Sequence, residues 1–569
     1  MRDDHRSSEG YARYVLGLLV AVYVLNFLDR QILSILAERI KADLNLTDAH
    51  IGFLYGTAFA VFYALFGIPL GRLADAWIRT RLIAVGLAFW SLMTAASAFA
   101  RGFGQLTAAR IGVGIGEASA SPAAFSLLSD YFPPARRATV LAIYSSGIYI
   151  GAGLGLFIGG LIVDRWDAAY PIAAAAPLGL RGWQVAYLVV GVPGLPLALW
   201  VSTLREPRRG ESERVAVDEA AAGHHTGGHG SDHARSARMH AGQSATRSAA
   251  GRSSAGTEAR SASTGTEAGS ASAGTEAGSY PFLEFARELR AVLPPFTLIN
   301  LAMIGAGRGA IARNVVAAGG IAALTWLLIA VLGTPAQWIA LGVGAYAAVS
   351  WSQSLARRDP AAFRMIFHTP TLRWTAVGFS LLAFTAYGIG FWAPPYFIRV
   401  RGVGESQVGL ILGGGAAAAG WLGVTAGGLW ADRWRRTHSA GRLYVGLAAA
   451  VLPLPFVIWM LNTPSVPLAF TLAILANAVT SLWIGPGAST IQDLIAPRAR
   501  GTASAAYLLV VTFIGLALGP YTIGRLSVAL GDLRLAMLLV LFANPVALLM
   551  LLLAARHVES DEARMRTAA

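Results

Sequence analysis

Four charged residues lie inside apolar segments of the first half of the chain. Asp29 and Arg30 interrupt the apolar run 14–36, and Arg110 and Glu117 lie in the run 105–129. An ionised side chain at bilayer depth costs about 2.5–3.5 kcal/mol on insertion scales, so such residues usually mark a solute pathway or a proton relay. These four residues are therefore the first candidates for chemistry in this chain.

Their spacing places them at one level of the predicted helices. Arg110 and Glu117 are seven residues apart, and they share a helix face with ~10 Å of rise between them. Asp29 lies about 15 residues from the start of its span and Glu117 about 13 from the end of its own, which puts both ~20 Å from the same side. We expect one buried network, in which Asp29 and Glu117 bind protons and Arg30 and Arg110 are charge partners or substrate ligands. A static ion network that only fixes helix packing is the alternative.

The composition is that of a polytopic membrane protein. The 569 residues are 55% hydrophobic and 13% charged, with a mean hydropathy of +0.55, whereas a soluble domain carries about 25% charged residues. The net charge of +14 would suggest nucleic acid in a soluble protein. Here the arginines lie in short loops between apolar runs, so the charge indicates topology and no nucleic-acid partner is expected. The chain has no cysteine, which excludes disulfides and thiolate metal sites.

The apolar runs predict an all-α membrane protein. A membrane-spanning helix needs about 20 mostly apolar residues, and six such runs fall within 1–204 and six within 371–569. Two further runs, 315–332 and 336–355, predict accessory transmembrane helices, which share the region 281–370 with an amphipathic segment at 281–293. That segment suits an interfacial helix, or equally a solvated helix packed on a neighbour. The twelve main spans are expected at 14–36, 51–73, 82–100, 105–129, 138–163, 183–204, 372–398, 405–430, 442–461, 466–488, 502–524 and 533–555.

Residues 205–280 are expected to form a disordered cytoplasmic linker. The segment is rich in Gly, Ser and Ala, it repeats the sequence GTEA, and it cannot bury enough apolar area to become ordered. Four histidines in it could bind a metal, but a histidine site needs orienting partners that this composition does not offer. We expect no metal and no cofactor. The histidines are His224, His225, His229 and His233.

The arginines also predict the orientation. They follow the second, fourth, sixth, eighth and tenth of the twelve main spans, so by the positive-inside rule these loops and both termini are cytoplasmic. Arg399 and Arg401 fall on the opposite side. The first apolar run lacks a small-residue cleavage site, so we expect a retained span of an inner (plasma) membrane protein.

Two paired motifs show that the halves are repeats. Asp75 and Arg79 follow the second span in a G-x-x-x-D pattern, and Asp432 and Arg433 follow the eighth in the same pattern. The connections after the fourth and tenth spans also match, and they contribute Arg137 and Arg500. Carboxylates and guanidiniums can form short bonds to a neighbouring helix, so these residues are predicted to form a cytoplasmic gate. Topogenic charges that only anchor the loops are the alternative.

Two further patterns concern helix packing and an outer gate. Gly147, Gly151, Gly155 and Gly159 recur every four residues of the fifth span, which permits close helix contact, sliding or both. In the seventh span, aromatic residues stand beside a double proline that must break or kink the helix. This segment could form an outer gate, and an interfacial aromatic belt is the alternative. Its residues are Tyr387, Trp392, Pro394 and Pro395.

The paired motifs resemble those of the major facilitator superfamily. More narrowly, NFLDRQIL, RIGVGIGEASASPA and LLSDYFPPARRATVLAIY resemble the spinster-like branch. The resemblance implies two six-helix bundles and alternating access, and relatives in that branch are linked to export of lysophospholipids and sphingosine phosphate. Two departures are Ala76, where the family usually has a basic residue, and the inserted pair of spans.

The sequence therefore predicts a secondary active transporter rather than an enzyme. We expect it to move a small amphipathic or anionic solute with proton coupling, and the resemblance alone suggests a lysolipid. An organic-anion or sugar-phosphate transporter, or a non-transporting membrane receptor or scaffold, are the alternatives. The expected partners are the small-molecule substrate, membrane lipids and protons, and the chain is expected to be a monomer.

Overall fold

The protein is described from a computed structural model, which covers residues 2–209, 281–293, 296–303, 305–495 and 499–568. All regular structure in these ranges is helical. The predicted linker, from residue 210 onward, and its four histidines lie outside the described residues.

The first bundle contains six helices, as the apolar runs predict. Most of them extend several residues beyond the predicted span, because helix continues past the apolar core into the polar loops. Short breaks divide α2 at Gly56, α4 at 118–119 and α6 at 192–193. The helices are α1 (Arg2–Leu44), α2 (Asp48–Ala76), α3 (Arg79–Ser97), α4 (Phe103–Tyr131), α5 (Pro134–Ala169) and α6 (Gly182–Ser202).

A small group of helices separates the two bundles. The amphipathic helix α7 (Pro281–Val292) is followed by α8 (Phe296–Met303), by an antiparallel hairpin of α9 (Arg308–Leu332) and α10 (Pro335–Arg358), and by the short α11 (Pro360–His368). No residue in the most apolar 18-residue window of α9 is buried in protein, which suits a helix surrounded by lipid.

The second bundle repeats the first, and its helices α12 to α17 correspond in order to α1 to α6. A 3₁₀ turn at Ser481–Trp483 interrupts α15, and a π-helical stretch at Val511–Ala517 interrupts α16. The helices are α12 (Pro370–Arg399), α13 (Glu405–Arg435), α14 (Gly441–Asn462), α15 (Val466–Asp493), α16 (Arg500–Leu530) and α17 (Leu533–Val540 and Ala543–Ala568).

The count of spans differs from the prediction at one helix. Thirteen helices in the described ranges are long and apolar enough to cross a membrane, whereas the sequence predicts fourteen. The exception is α10, which has 24 residues and therefore sufficient length. Polar side chains such as Gln337, Ser350 and Gln353 lower its hydropathy. Part of its polar surface faces α9, where Asn314 bonds to Ser350 and Gln353.

Two glycine faces of α5 allow two helices to approach closely. Gly147, Gly151, Gly155 and Gly159 face α1, as shown by the atoms of α1 that an added Cβ would meet. Gly153 lies on another face, where an added Cβ would stand 2.5 Å from the carbonyl oxygen of Gly413 on α13. The first face packs α5 within its own bundle, and the second packs it across the seam between the bundles.

The double proline of α12 does not break the helix. Regular helix continues through Pro394 and Pro395 to Arg399. Since Pro395 has no N–H, the carbonyl of Phe391 one turn earlier loses its helical donor. That carbonyl instead accepts a hydrogen bond from Ser34 Oγ of α1, at 2.5 Å. The freed backbone group thus becomes a contact between the two bundles.

Candidate functional site

Arg30 and Glu117 form an ion pair in the interior of the first bundle. Arg30 Nη2 lies 2.7 Å from Glu117 Oε2, which joins α1 to α4, and the Glu117 side chain is fully buried. Glu117 Oε1 has no hydrogen-bond partner among the described residues. Because a buried charge is costly unless it is paired, this carboxylate depends on Arg30 for compensation.

Asp29 and Arg110 are buried beside this pair. Arg110 Nη1 donates to the backbone carbonyl of Asp29 at 3.3 Å, and its Nε donates to the carbonyl of Leu54 at 3.4 Å. The Asp29 carboxylate accepts a hydrogen bond from Thr94 Oγ1 at 3.2 Å, and its other oxygen has no described partner. The structure therefore brings all four predicted residues together, with Arg110 bonded to the backbone rather than to a carboxylate.

Aromatic rings surround the Arg30 guanidinium. Its central carbon lies 4.3 Å from the ring centre of Phe59, 4.7 Å from Phe27 and 5.4 Å from Tyr63. A cation is attracted to the faces of such rings, and the rings exclude water from it. The cage therefore holds the guanidinium in place from sides that Glu117 does not contact.

A cavity of about 240 Å³ lies between the two bundles, next to Arg30. Of the described residues that line it, Arg30 is the one charged side chain. Side chains from the second bundle form much of the remaining wall, and they are mainly apolar with a few amide and hydroxyl groups. Representative apolar residues are Leu382, Ile389, Leu412, Val457 and Met460, and the polar ones include Gln31, Tyr149, Tyr387, Asn477 and Thr480.

The predicted outer-gate residues have different positions around this cavity. Tyr387 and Pro394 line it, whereas Trp392 is buried and its Nε1 donates to the Pro520 carbonyl of α16 at 2.8 Å. The ring that closes the seam is Phe391, whose centre lies 4.2 Å from that of Tyr55 on α2. Trp392 therefore stabilises the second bundle, and its neighbour Phe391 contacts the first.

Beyond Phe391, an ion-pair cluster joins the bundles at one end of the molecule. We call it the opposite end, because it lies opposite the end at which most of the loop arginines are found. Arg399 of α12 binds Glu38 and Asp48 of the first bundle, with its closest bonds at 2.5 and 2.6 Å. Arg39 binds Glu405 at 2.7 Å. These pairs explain why Arg399 lies on the side where the positive-inside rule predicts few arginines.

The predicted gate residues of the first bundle lie at the other end of the molecule, which we call the arginine-rich end. Arg79 is buried and binds Asp130 of α4 and Glu206 after α6. Asp75 is exposed and forms no hydrogen bond or ion pair with any described residue. Arg137 donates to the carbonyl of Ser129 at 3.1 Å, which caps α4.

The second bundle repeats this arrangement with a shift in register. Arg435, rather than the predicted Arg433, binds Asp493 of α15 at 3.2 Å and Glu562 of α17 at 2.6 Å. Arg433 is exposed without a described partner, and Asp432 lies 3.4 Å from Arg442. Arg500 donates to the carbonyl of Gln492 at 3.1 Å, which caps α15.

The bonds described above for the gate arginines stay within their own bundle. Hydrogen bonds and ion pairs that run from one bundle to the other are seen at the seam and at the opposite end. Arg79 and Arg435 each hold three helices of their own bundle together. This conformation is closed at the opposite end.

Sequence reasoning missed the second-bundle wall of the cavity and most of the cluster at the opposite end. The wall residues belong to helices that are apolar on all sides, so hydropathy does not mark their inner face. For the cluster one signal was present. Arg399 was the exception to the orientation pattern, and a misplaced arginine indicates a structural partner.

Comparison with known proteins identifies the family. Residues 19–520 match the profile of the Major Facilitator Superfamily. The chain is 35% identical over 218 residues to an MFS-type efflux pump of Mycolicibacterium smegmatis, covering 36% of this chain and 50% of the relative. It is 30% identical over 204 residues to the probable L-galactonate transporter of Escherichia coli, covering 36% and 41%.

Spinster proteins are also among the relatives. The chain is 32% identical over 210 residues to human protein spinster homolog 1, covering 36% of this chain and 37% of that one. It thus matches half or less of the length of these relatives. The fold is similar to that of a bacterial homolog to the human lysosomal transporter spinster in an inward-facing, unoccupied conformation. The TM-score is 0.65 at 22% identity, over 97% of this chain and 98% of the other.

The profile match spans most of the chain, and the fold has two related six-helix bundles around a central cavity. The protein is therefore a multi-pass membrane protein that belongs to the Major Facilitator Superfamily, with similarity to its spinster-like members.

Proposed function

We propose that this protein is a proton-coupled transporter of a small amphipathic anion, which binds to Arg30 in the central cavity. One observation carries the proposal. The Arg30 guanidinium belongs to the cavity wall and to the ion pair with buried Glu117 at the same time. Solute binding and carboxylate ionisation therefore meet at one side chain.

The composition of the cavity wall favours an amphipathic anion as the substrate. A single cation beside an apolar surface suits a solute with one anionic group and an apolar part, because the guanidinium binds carboxylate or phosphate through paired hydrogen bonds. Gln31, Tyr149 and Asn477 can bond to hydroxyl or ester groups of the solute. A lysolipid has all three features, and the similarity to spinster proteins points the same way.

The coupling follows from competition for Arg30. A substrate anion that takes up the guanidinium withdraws it from Glu117, and the buried carboxylate then needs a proton to lose its charge. Anion and proton consequently favour each other's binding, since a coupling free energy between two ligands is reciprocal. Asp29, buried one residue away, is a second candidate for protonation.

The arginine-rich end is proposed to face the cytoplasm. The positive-inside rule supports this orientation, and both described chain ends lie at that end, where Glu9 binds Arg136 and Glu562 binds Arg435. In the reverse conformation the opposite end would open, and the gate motifs around Asp75 and Asp432 would join the bundles. The membrane itself is proposed to be the inner (plasma) membrane.

A small sugar acid is the second candidate substrate. The relatives include a probable L-galactonate transporter, and a single arginine suits a carboxylate as well as a phosphate. The lining residues of the second bundle weigh against it, because none of the described ones is charged and many are aliphatic. A polyhydroxylated solute would leave polar groups unpaired against that wall.

Flux measurements in proteoliposomes test the proposal. The panel contains a fluorescent lysophospholipid, a hexuronate and a sugar phosphate, each under an imposed pH gradient. We expect gradient-dependent lysolipid flux in the wild type, its loss in Arg30→Gln and its retention in Arg101→Gln. The control Arg101 is an exposed arginine whose side chain has no partner among the described residues. Lysolipid flux that persists in Arg30→Gln would contradict the assignment of the binding residue, and flux of the hexuronate alone would favour the second candidate.

A further inference from the structure

A cluster of arginines lies at the arginine-rich end of the α9–α10 hairpin, away from the cavity. The hairpin is antiparallel, so the start of α9 and the end of α10 meet at the same end. Arg308 and Arg313 belong to α9, and Arg357 and Arg358 belong to α10. None of the four lines the central cavity.

A buried polar network fixes how the two helices face each other. Asn314 Nδ2 donates to Gln353 Oε1 at 3.0 Å and to Ser350 Oγ at 3.2 Å, and Tyr346 donates to Asn314 Oδ1 at 2.6 Å. Position 313 is the neighbour of Asn314, and position 357 lies one helical turn beyond Gln353. The contact therefore places these two positions on adjacent helices, with Arg357 about one helical turn closer to the arginine-rich end than Arg313.

The Arg357 side chain is folded back toward this contact. Its Nε donates to the carbonyl of Gln353 at 3.2 Å, which leaves the terminal nitrogens of the guanidinium available. Arg313 and Arg358 lie within electrostatic reach of Arg357. Like charges repel at such range, so this grouping is unfavourable unless an anion lies among the guanidiniums.

The carboxylates near the cluster are already bonded. Glu288 of α7 lies 2.9 Å from Arg358, and Asp359 accepts a hydrogen bond from the Ala362 amide at 2.9 Å. Arg308 and Arg313 form no side-chain hydrogen bond or ion pair with any described residue. The cluster therefore keeps an excess of positive charge and several free donors.

Neighbouring residues place the cluster at the membrane surface. Helix α7, which contacts the hairpin through Glu288, exposes 57% of Phe282 and 55% of Leu283, as an interfacial helix does. Arg313 lies about five residues inside α9, ~7.5 Å from its start. An arginine at that depth extends its head toward the phosphate layer.

From these observations we infer that Arg313 and Arg357 bind the phosphodiester group of an anionic phospholipid. Two guanidiniums on adjacent helices suit a phosphate, which accepts paired hydrogen bonds from each of them. Basic sites between transmembrane helices at this level favour anionic headgroups. The apolar face of α9 is free to contact the acyl chains, since Val316 and Trp326 are 73% and 70% exposed. A phospholipid can contact both the two guanidiniums and the apolar face of α9, whereas free phosphate can contact only the guanidiniums.

Native mass spectrometry tests this site independently of transport. The full-length protein is purified from nanodiscs that contain equal amounts of phosphatidylglycerol and phosphatidylcholine, and the retained lipid is counted. We expect wild-type protein to retain phosphatidylglycerol and the double variant Arg313→Gln/Arg357→Gln to lose it by about tenfold. The control Arg72→Gln/Arg81→Gln removes two exposed arginines at the same end of the first bundle, and it should retain the lipid.

A lysine variant and competition with inorganic phosphate test whether paired hydrogen bonds from arginine hold the lipid and whether free phosphate can replace it. The variant Arg313→Lys/Arg357→Lys preserves the charge and the fold but not the paired hydrogen bonds, so its retention should be intermediate. Inorganic phosphate at millimolar concentration should not displace the lipid. Equal retention of phosphatidylglycerol by the wild type and the double glutamine variant, or equal loss in the Arg72/Arg81 control, would overturn the site.

Discussion

The guanidinium of Arg30 bonds to the buried carboxylate of Glu117 at 2.7 Å and also forms part of the cavity wall. Under the proposed function, a solute anion in the cavity reaches the guanidinium that pairs with Glu117. Anion binding and protonation of Glu117 would then depend on each other. The aromatic cage of Phe27, Phe59 and Tyr63 adds rigidity without taking up the hydrogen-bond donors.

The stability of this pair can be measured with a double-mutant cycle. Arg30→Gln leaves a buried carboxylate unpaired, which should lower the free energy of unfolding by about 3–5 kcal/mol at neutral pH. The double variant Arg30→Gln/Glu117→Gln removes both charges and should regain most of that loss. Thermal unfolding in one detergent checks both values. Additive losses in the double variant would show that the two side chains are not coupled.

Asp48 should control whether the opposite end opens. Its carboxylate binds Arg399 at 2.6 Å, Lys41 at 3.0 Å and Ser527 at 2.7 Å. Asp48→Asn weakens bonds of roughly 1.5–3 kcal/mol each, so the population open at that end should rise about tenfold or more. The chain has no cysteine, and a single cysteine at the cavity residue Ala152 can report this change through labelling by an impermeant thiol reagent.

Asp43→Asn is the matched control for that experiment. Asp43 binds Arg181 at 2.9 Å and Trp183 Nε1 at 2.9 Å, both within the first bundle. Its loss should leave the labelling rate from the opposite side unchanged. Equal acceleration by Asp48→Asn and Asp43→Asn would show that the effect is general loosening rather than release of the seam.

Arg79 and Asp75 of the gate motif should respond differently to substitution. Arg79→Gln removes the buried cation that binds Asp130 and Glu206, so the free energy of unfolding should fall by about 3 kcal/mol. Asp75→Asn should change it by less than about 0.5 kcal/mol, because the exposed carboxylate has no described partner here. If Asp75 closes the arginine-rich end in the reverse conformation, the same variant should slow transport. Unchanged stability together with unchanged flux would exclude a gating role.

The seam between α5 and α13 should tolerate no added side chain. A Cβ at Gly153 would stand 2.5 Å from the Gly413 carbonyl, whereas one at Gly414 would meet no atom within 4 Å. Gly153→Val should therefore cost about 1–3 kcal/mol of unfolding free energy, and Gly414→Val should be nearly neutral. The two residues differ in position but not in chemistry, so thermal unfolding of this pair isolates the packing effect.

Much of the site could be predicted because bilayer physics constrains a sequence strongly. A charged residue in an apolar run is rare, and counting residues from the ends of two helices places Asp29 and Glu117 at the same depth. Arg30 follows Asp29 in the chain and therefore lies at nearly the same depth as Glu117, which allows the two side chains to pair. The same reasoning found the two bundles and the repeated motifs.

The remaining features depend on contacts that no local pattern encodes. Arginines follow Asp432 at one, three and four residues, and which of them reaches Asp493 and Glu562 depends on the packing of α13, which brings Arg435 to both carboxylates. Arg399 and Asp48 are more than 350 residues apart and meet only when the bundles associate. Of the break or kink that the double proline predicts in α12, the break does not occur, because the helix continues and Ser34 bonds to the freed carbonyl of Phe391.

The central claim is that Glu117 couples protons to the anion at Arg30, and a comparison of wild type with Glu117→Gln in proteoliposomes tests it most directly. Two rates are measured with the fluorescent lysophospholipid, namely exchange at equal pH and accumulation driven by a pH gradient. Glutamine keeps the shape of the site and releases Arg30, so we predict that exchange persists while gradient-driven accumulation is lost. Accumulation in Glu117→Gln that still follows the pH gradient would contradict the account.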